Sequence, residues 1–157
     1  MLLPSMCVAA AQRPQLSAGV LLVRQLYTDF ACEAVLDDPE CDSQHEFIDQ
    51  PQSVLAKYFD NRLVQLWLAD RRRALRTREV GNLDFSPMWD SQDPSGTFVT
   101  ISPTMDSTLV QVELRHPYYT EPRYLDYRLA KTSTGWRIHD ISRRGKWSLV
   151  QLLSRRP

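Results

Sequence analysis

Gly135-Trp136-Arg137-Ile138-His139-Asp140-Ile141 is the last of four strand-like segments that fill the chain from Thr97 onward, and it decides the fold. Before it, Thr97 to Ser102 sets Val99 and Ile101 on one face, Thr108 to Arg115 sets Val110, Val112 and Leu114 together, and Tyr124 to Ala130 does the same with Leu125, Tyr127 and Leu129. In the last segment Trp136 pairs with Ile138. Apolar residues at every second position mark half-buried strands, because successive side chains point to opposite faces of a sheet. The connections Pro103 to Ser107, His116 to Arg123 and Lys131 to Gly135 are of hairpin length, so the four strands form an antiparallel meander. Ser148 to Ser154, with Leu149, Val150, Leu152 and Leu153, closes the chain as a helix or edge segment.

Upstream the period changes from two to three and four. Val20, Val23, Leu26, Tyr27, Phe30 and Ala31 predict a helix from Ala18 to about Cys32, with Ser17 as its N-cap. Pro51 to Phe59 reads as a second, short helix, since proline suits a first helical turn. Asp60 is placed to cap a third, through about Arg76, with Leu63, Leu66, Trp67 and Leu75 inward and the arginines outward. Between Glu79 and Gly96 no period survives, yet Leu83, Phe85, Met88 and Trp89 are too apolar to be left in water, so this loop is expected to fold back over the core. Helices first and strands after give an α+β domain. With 157 residues, 43% of them hydrophobic, one domain is expected over residues 18–157. Residues 1–17 are left as a signal-peptide remnant or a disordered tail.

Nineteen positive and nineteen negative side chains cancel, so no global field draws the chain to nucleic acid or an anionic membrane. The charges are segregated, however. Eight acids lie between Gln25 and Ala56 with no Lys or Arg among them: Asp29, Glu33, Asp37, Asp38, Glu40, Asp42, Glu46 and Asp49. Arg71, Arg72, Arg73, Arg76 and Arg78 then form a basic run, which reads either as a solvated helix face or as a patch for a partner. Met1 to Ala11 is uncharged and ends in Ala9-Ala10-Ala11, as a signal-peptidase site does, although it lacks a basic start. Export to the periplasm or beyond is expected on that ground, with a cytoplasmic location as the alternative. No stretch approaches the ~20 apolar residues of a membrane-spanning helix. Once Cys7 leaves with the signal, Cys32 and Cys41 remain as an even pair, either two free thiols or a disulfide closing a small loop.

No catalytic, nucleotide-binding or metal-binding pattern stands out, and no cofactor is expected. His45, His116 and His139 are scattered, five glycines leave no phosphate-cradling loop, and Asp90, Gln92 and Asp93 lack the order of a calcium loop. Asp140 follows Trp136 and Ile138 on their face of the last strand, and Tyr127 on the neighbouring strand, with Trp89 or Asp90 from the covering loop, is placed to complete a polar cluster with it. Such a cluster either lines a pocket, with Asp140 as a buried base, or ties Asp140 to an arginine such as Arg137 or Arg143. His116-Pro117-Tyr118-Tyr119 sits in a hairpin connection, where two tyrosines are unusual for a bare turn and suit a binding tip.

Taken together, three helices, the loop Asp84-Phe85-Ser86-Pro87-Met88-Trp89-Asp90-Ser91-Gln92-Asp93 and a meander ending Gly135 to Ile141 resemble a bacterial envelope family of unknown function. That family shares the cone fold of nuclear transport factor 2 and ketosteroid isomerase. The resemblance covers about Val20 to Leu153; the final strand matches well and the loop loosely. It implies helices packed in the concave face of a curved four-stranded sheet, whose open end holds a ligand, a partner chain or nothing, and a possible homodimer through the outer face near Tyr124, Arg128, Arg137 and His139. The expected function is non-enzymatic protein binding, as an immunity or inhibitor protein against a secreted toxin or as a binder of an envelope protein. Asp37, Asp38, Glu40, Tyr118 and Tyr119 are the expected contact residues. A small-ligand carrier and an isomerase-like or hydratase-like enzyme are the alternatives.

Overall fold

The structure is a computed structural model that describes residues 16–35, 41 and 46–155. Helix α1 is Ala18–Asp29; its N-cap is Ser17, whose Oγ accepts the Val20 N–H at 3.3 Å. Val20, Val23, Leu26 and Tyr27 are its buried stripe. The helix stops three residues before the expected Cys32, because the chain tightens into a 3-10 turn at Ala31–Ala34. A second 3-10 turn, Phe47–Asp49, leads into α2, Gln52–Tyr58, and α3, Asn61–Thr77. Asp60 caps α3 by accepting the Leu63 N–H at 2.9 Å.

One inward residue of α3 is misassigned by the sequence pattern. Leu75 is 81% exposed, whereas Asp70 is buried at 6%. The stripe that begins at Leu63 and Trp67 continues at positions 70 and 74, a spacing of three and four, and Leu75 stands about 100° further round the helix. Asp70 is tolerated inside because its carboxylate accepts the N–H groups of Asn82 and Leu83 and pairs with Arg73 at 2.7 Å. It thereby ties the start of the long loop to α3.

The strands are β1, Phe98–Pro103, β2, Leu109–Arg115, β3, Arg123–Thr132, β4, Gly135–Arg143, and β5, Trp147–Ser148, hydrogen-bonded in that order and antiparallel throughout. The sheet therefore has five strands rather than the expected four. β5 escapes a pattern search because two residues carry no alternation; it is created by the turn at Gly145, φ 70°, which returns the chain onto Ser142 and Arg143. Helix α4, Leu149–Leu153, follows directly. Val110 stands opposite Tyr127, and Tyr127 opposite Ile141, all fully buried on the face that the helices cover. At Gly19 the backbone of α1 comes so close that a Cβ would lie 2.2 Å from Leu129 Cδ1.

Strict alternation fails once, in β4. Arg128 faces Asp140 but Leu129 faces Ile138, so His139 is an extra residue and the strand is bulged. The buried positions are consequently Ile138 and Ile141, and Asp140 shares its side with exposed Arg128 instead of with Ile138. Among the described residues no helix is long and apolar enough to cross a membrane.

Candidate functional site

The loop from Leu83 to Gly96 closes over the core as its apolar residues require, with Leu83, Met88 and Trp89 all buried. Its shape is fixed by a tight turn in which Ser86 N–H donates to Ser91 C=O and Trp89 N–H to Ser86 C=O. Asp90 sits beyond that turn in the left-handed region, φ 51°. Its carboxylate accepts from Arg123 Nη1 at 3.1 Å, Arg143 Nη1 at 2.8 Å and Trp147 Nε1 at 2.7 Å, three donors from three strands. A buried carboxylate met by two guanidinium groups and an indole N–H is fully compensated, so Asp90 acts as a peg that fastens the loop to the sheet.

Arg123 passes this anchorage outward. Its guanidinium lies 3.6 Å from the centre of the Tyr119 ring, and the His116 ring packs against both Tyr118 and Tyr119 while one of its nitrogens meets Asp93 C=O at 3.1 Å. Tyr118 is 81% exposed and Tyr119 44%. Between this hairpin tip and the loop runs an open cleft of about 540 Å³, with Asp84, Phe85, Gln92, His116, Tyr118 and Tyr119 among its walls. The expected binding tip is thus an exposed aromatic surface held from behind by a cation and a buried peg.

The five expected pocket residues separate. Trp89 and Tyr127 meet around Tyr27, whose ring packs edge-on to both. Tyr27 Oη donates to Met88 C=O and so receives the proton of Tyr127 Oη, 2.9 Å away. Both phenols are held well above the usual tyrosine range by burial, which keeps them protonated and structural. Asp90 is next to Trp89 but points to the sheet. Trp136 lies opposite Lys131 near the β3–β4 turn, packed against the edge of the core. Asp140 accepts from Ser148 Oγ at 2.7 Å and from Val150 N–H at 3.0 Å, so it holds the start of α4 and bonds neither Arg137 nor Arg143. The bulge at His139 is the reason it turns that way. Asp37, Asp38 and Glu40 lie outside the described residues.

Cys32 and Cys41 are joined by a disulfide, a bond that oxidising compartments outside the cytosol preserve. Immediately after Cys32, Glu33 turns inward. It accepts the Phe47 N–H and the Trp89 Nε1–H, the latter at 2.6 Å, linking the 3-10 turns to the covering loop. Burial is the main cause that pushes its carboxyl up, its hydrogen bonds oppose that, and nearby Glu46 adds to it. Glu33 lines a cavity of about 260 Å³ together with Glu46, Ile48, Asp84, Phe85 and Ser86. The sequence carried a signal for it: Glu33 falls seven residues after Leu26 and three after Phe30, a carboxylate in line with an apolar stripe. A further open groove, of about 610 Å³, runs between the end of α1 and β1, walled by Tyr27, Val35, Trp89, Phe98 and Ile101. Among the described residues no group of three or more His, Cys, Asp or Glu is placed to hold a metal ion.

No family model matches the sequence, and no curated protein matches it. Among solved structures, the chain is similar to a phospholipid-binding protein from Ralstonia solanacearum, solved in complex with a phospholipid, at 22% identity over 85% of this chain and 68% of that one. The TM-score is 0.33, a superposition too loose for either fold or ligand to carry over.

Proposed function

We propose that this chain is a non-enzymatic, exported binding domain of the cone-fold kind, and that its ligand is another protein, a secreted toxin that it neutralises or an envelope component. The observation that carries the reading is the braced aromatic tip. Tyr118 and Tyr119 offer large apolar area to solvent, and the line Tyr119, Arg123, Asp90 fixes part of that surface before any partner arrives. Aromatic anchors that lose little conformational freedom on binding are what dominate protein interfaces. Helices preceding a meander that ends in Gly135 to Ile141 support the cone-fold resemblance, and the Cys32–Cys41 bond supports work in the periplasm or outside the cell. Asp140, the residue an isomerase-like reading needs as its base, spends both oxygens on the start of α4.

The test is affinity capture from the envelope and secreted fractions of the source organism, with wild type and a Tyr118→Ala/Tyr119→Ala variant as baits. A stoichiometric partner held by wild type and lost from a folded variant is the expected result. A partner held equally by both removes the tip from the interface. A carrier of apolar small molecules is the second reading, favoured by the groove between α1 and β1; thermal stabilisation by an apolar ligand and its loss in Ile101→Glu would support it.

A further inference from the structure

The basic run of α3 divides into arginines that the fold uses and arginines that it does not. Arg71 donates to Gln50 C=O and Ile48 C=O, and Arg73 pairs with buried Asp70. Arg62, Arg72 and Arg76 are exposed, as is Arg78 just past the helix end, and no ion pair among the described residues involves any of them. Arg62, Gln65, Ala69, Arg72 and Arg76 recur at spacings of three and four, so they form one line along the solvent side of the helix. Asp70, the only acid of α3, lies inside on the opposite side. The line is therefore cationic with no acid set into it.

Two large apolar side chains stand at the same end of the helix. Leu75 neighbours Arg72 and Arg76 and is 81% exposed, and Val80 is 74% exposed. The way the helix ends fixes their places. Arg78, φ 57°, and Glu79 both donate their N–H groups to Ala74 C=O, and Asp70 then takes the N–H groups of Asn82 and Leu83, so Val80 is held close to the last turn. Asn82 Nδ2 donates to Arg155 C=O at 3.1 Å, which brings exposed Arg155 to this end as well. Glu79 is the only acid between Arg71 and Leu83.

The combination selects a partner. Cations alone suit any polyanion, but nucleic acid has no apolar layer to receive Leu75 and Val80. Trp67, the one aromatic residue of α3, is buried, so this face lacks the aromatic anchors that dominate protein interfaces. Guanidinium groups around short aliphatic side chains match a lipid surface, where phosphate oxygens lie at one depth and acyl chains just beneath. We propose that the C-terminal end of α3 docks the protein onto an anionic lipid surface, with Arg72, Arg76, Arg78 and Arg155 on lipid phosphates and Leu75 and Val80 entering between the headgroups. This surface shares no residue with the Tyr118–Tyr119 tip and goes beyond the protein-binding reading.

The experiment is co-sedimentation of the full chain with vesicles of mixed phosphatidylcholine and phosphatidylglycerol, and with vesicles of phosphatidylcholine alone. Binding to the anionic vesicles at low salt, lost by about 0.5 M salt, is the expected result. Arg72→Gln with Arg76→Gln should weaken it roughly twentyfold, since each arginine near a charged bilayer is worth about fivefold. Leu75→Ser with Val80→Ser should weaken it about tenfold. All four positions are exposed, so the variants keep the fold, which thermal unfolding checks. Arg115→Gln with Arg144→Gln removes the same charge from exposed positions elsewhere and should leave binding within about twofold. Equal binding to both kinds of vesicle, or no greater weakening by the α3 pair than by this control pair, would overturn the proposal. Anionic binding that Leu75→Ser with Val80→Ser leaves unchanged would also overturn it, because a plain polyanion site would then account for the cations.

Discussion

Arg123 donates to Asp90 with one nitrogen while the central carbon of the same guanidinium lies over the ring of Tyr119, so one side chain joins the buried peg to the exposed tip. Asp90→Asn tests that joint with little backbone disturbance, since asparagine also tolerates a positive φ. Removing the charge leaves Arg123 and Arg143 facing each other without their shared counter-ion. A loss of about 3 kcal/mol in urea unfolding is expected, together with faster hydrogen exchange in the covering loop. A loss below about 1 kcal/mol would show that solvent replaces the carboxylate freely.

Glu33 makes stability depend on pH in a defined direction. Burial, assisted by Glu46, raises its carboxyl above the ordinary 4.5, so within the window from that value up to the raised one the folded chain binds more protons than the unfolded chain. Stability conferred on the protonated form is therefore lost as pH rises through the window, and the loss levels off above it. Glu33→Gln gives up one acceptor, a constant offset, but it no longer titrates. The stability of the variant relative to wild type should climb as pH rises above the ordinary 4.5 and then level off in denaturant titrations; a flat difference would mean that Glu33 ionises normally.

The disulfide holds the residue next to Glu33, and its effect should reach the loop. By the chain-entropy account, closing a loop of this size contributes about 2 to 3 kcal/mol. Reduction, or Cys32→Ser with Cys41→Ser, should lower stability by that amount and speed exchange at Phe47 and at the Trp89 indole. Exchange confined to the turn at Ala31–Ala34 would show that Glu33 keeps its bonds without the bridge.

The buried phenols have an order that mutation can read. Tyr127→Phe removes a donor to Tyr27 but leaves Met88 C=O bonded, and should cost about 1 kcal/mol. Tyr27→Phe strands both Met88 C=O and the Tyr127 hydroxyl, and should cost about 2 to 3 kcal/mol. Equal losses in the two variants would show that Met88 C=O finds another donor once the Tyr27 hydroxyl is gone.

Much of this architecture is legible in period alone. Ser17 and Asp60 read as caps and are caps, and the strands begin and end within a residue or two of their alternation. What period misses is local exception. β5 is too short to show any, the extra residue at His139 turns Asp140 out of the expected face, and Leu75 loses to Asp70 because hydrogen bonds from the loop make a buried carboxylate acceptable. The site divides the same way. Tyr118 and Tyr119 stand out as aromatics in a turn, whereas Glu33 is hidden among eight acids and gains its character from burial and from Phe47 and Trp89, 14 and 56 residues away.

The one-residue offset in β4 sets a limit on how this chain can vary. On one side of it His139 meets the carboxylate of Asp60 at the start of α3, and on the other Asp140 holds the start of α4. Deleting His139 would restore a regular strand in which Asp140 still stands opposite Arg128 and still holds the start of α4, but it would take away the side chain that meets Asp60 at the start of α3. The extra residue thus lets two neighbouring side chains of one strand each fasten the start of a different helix.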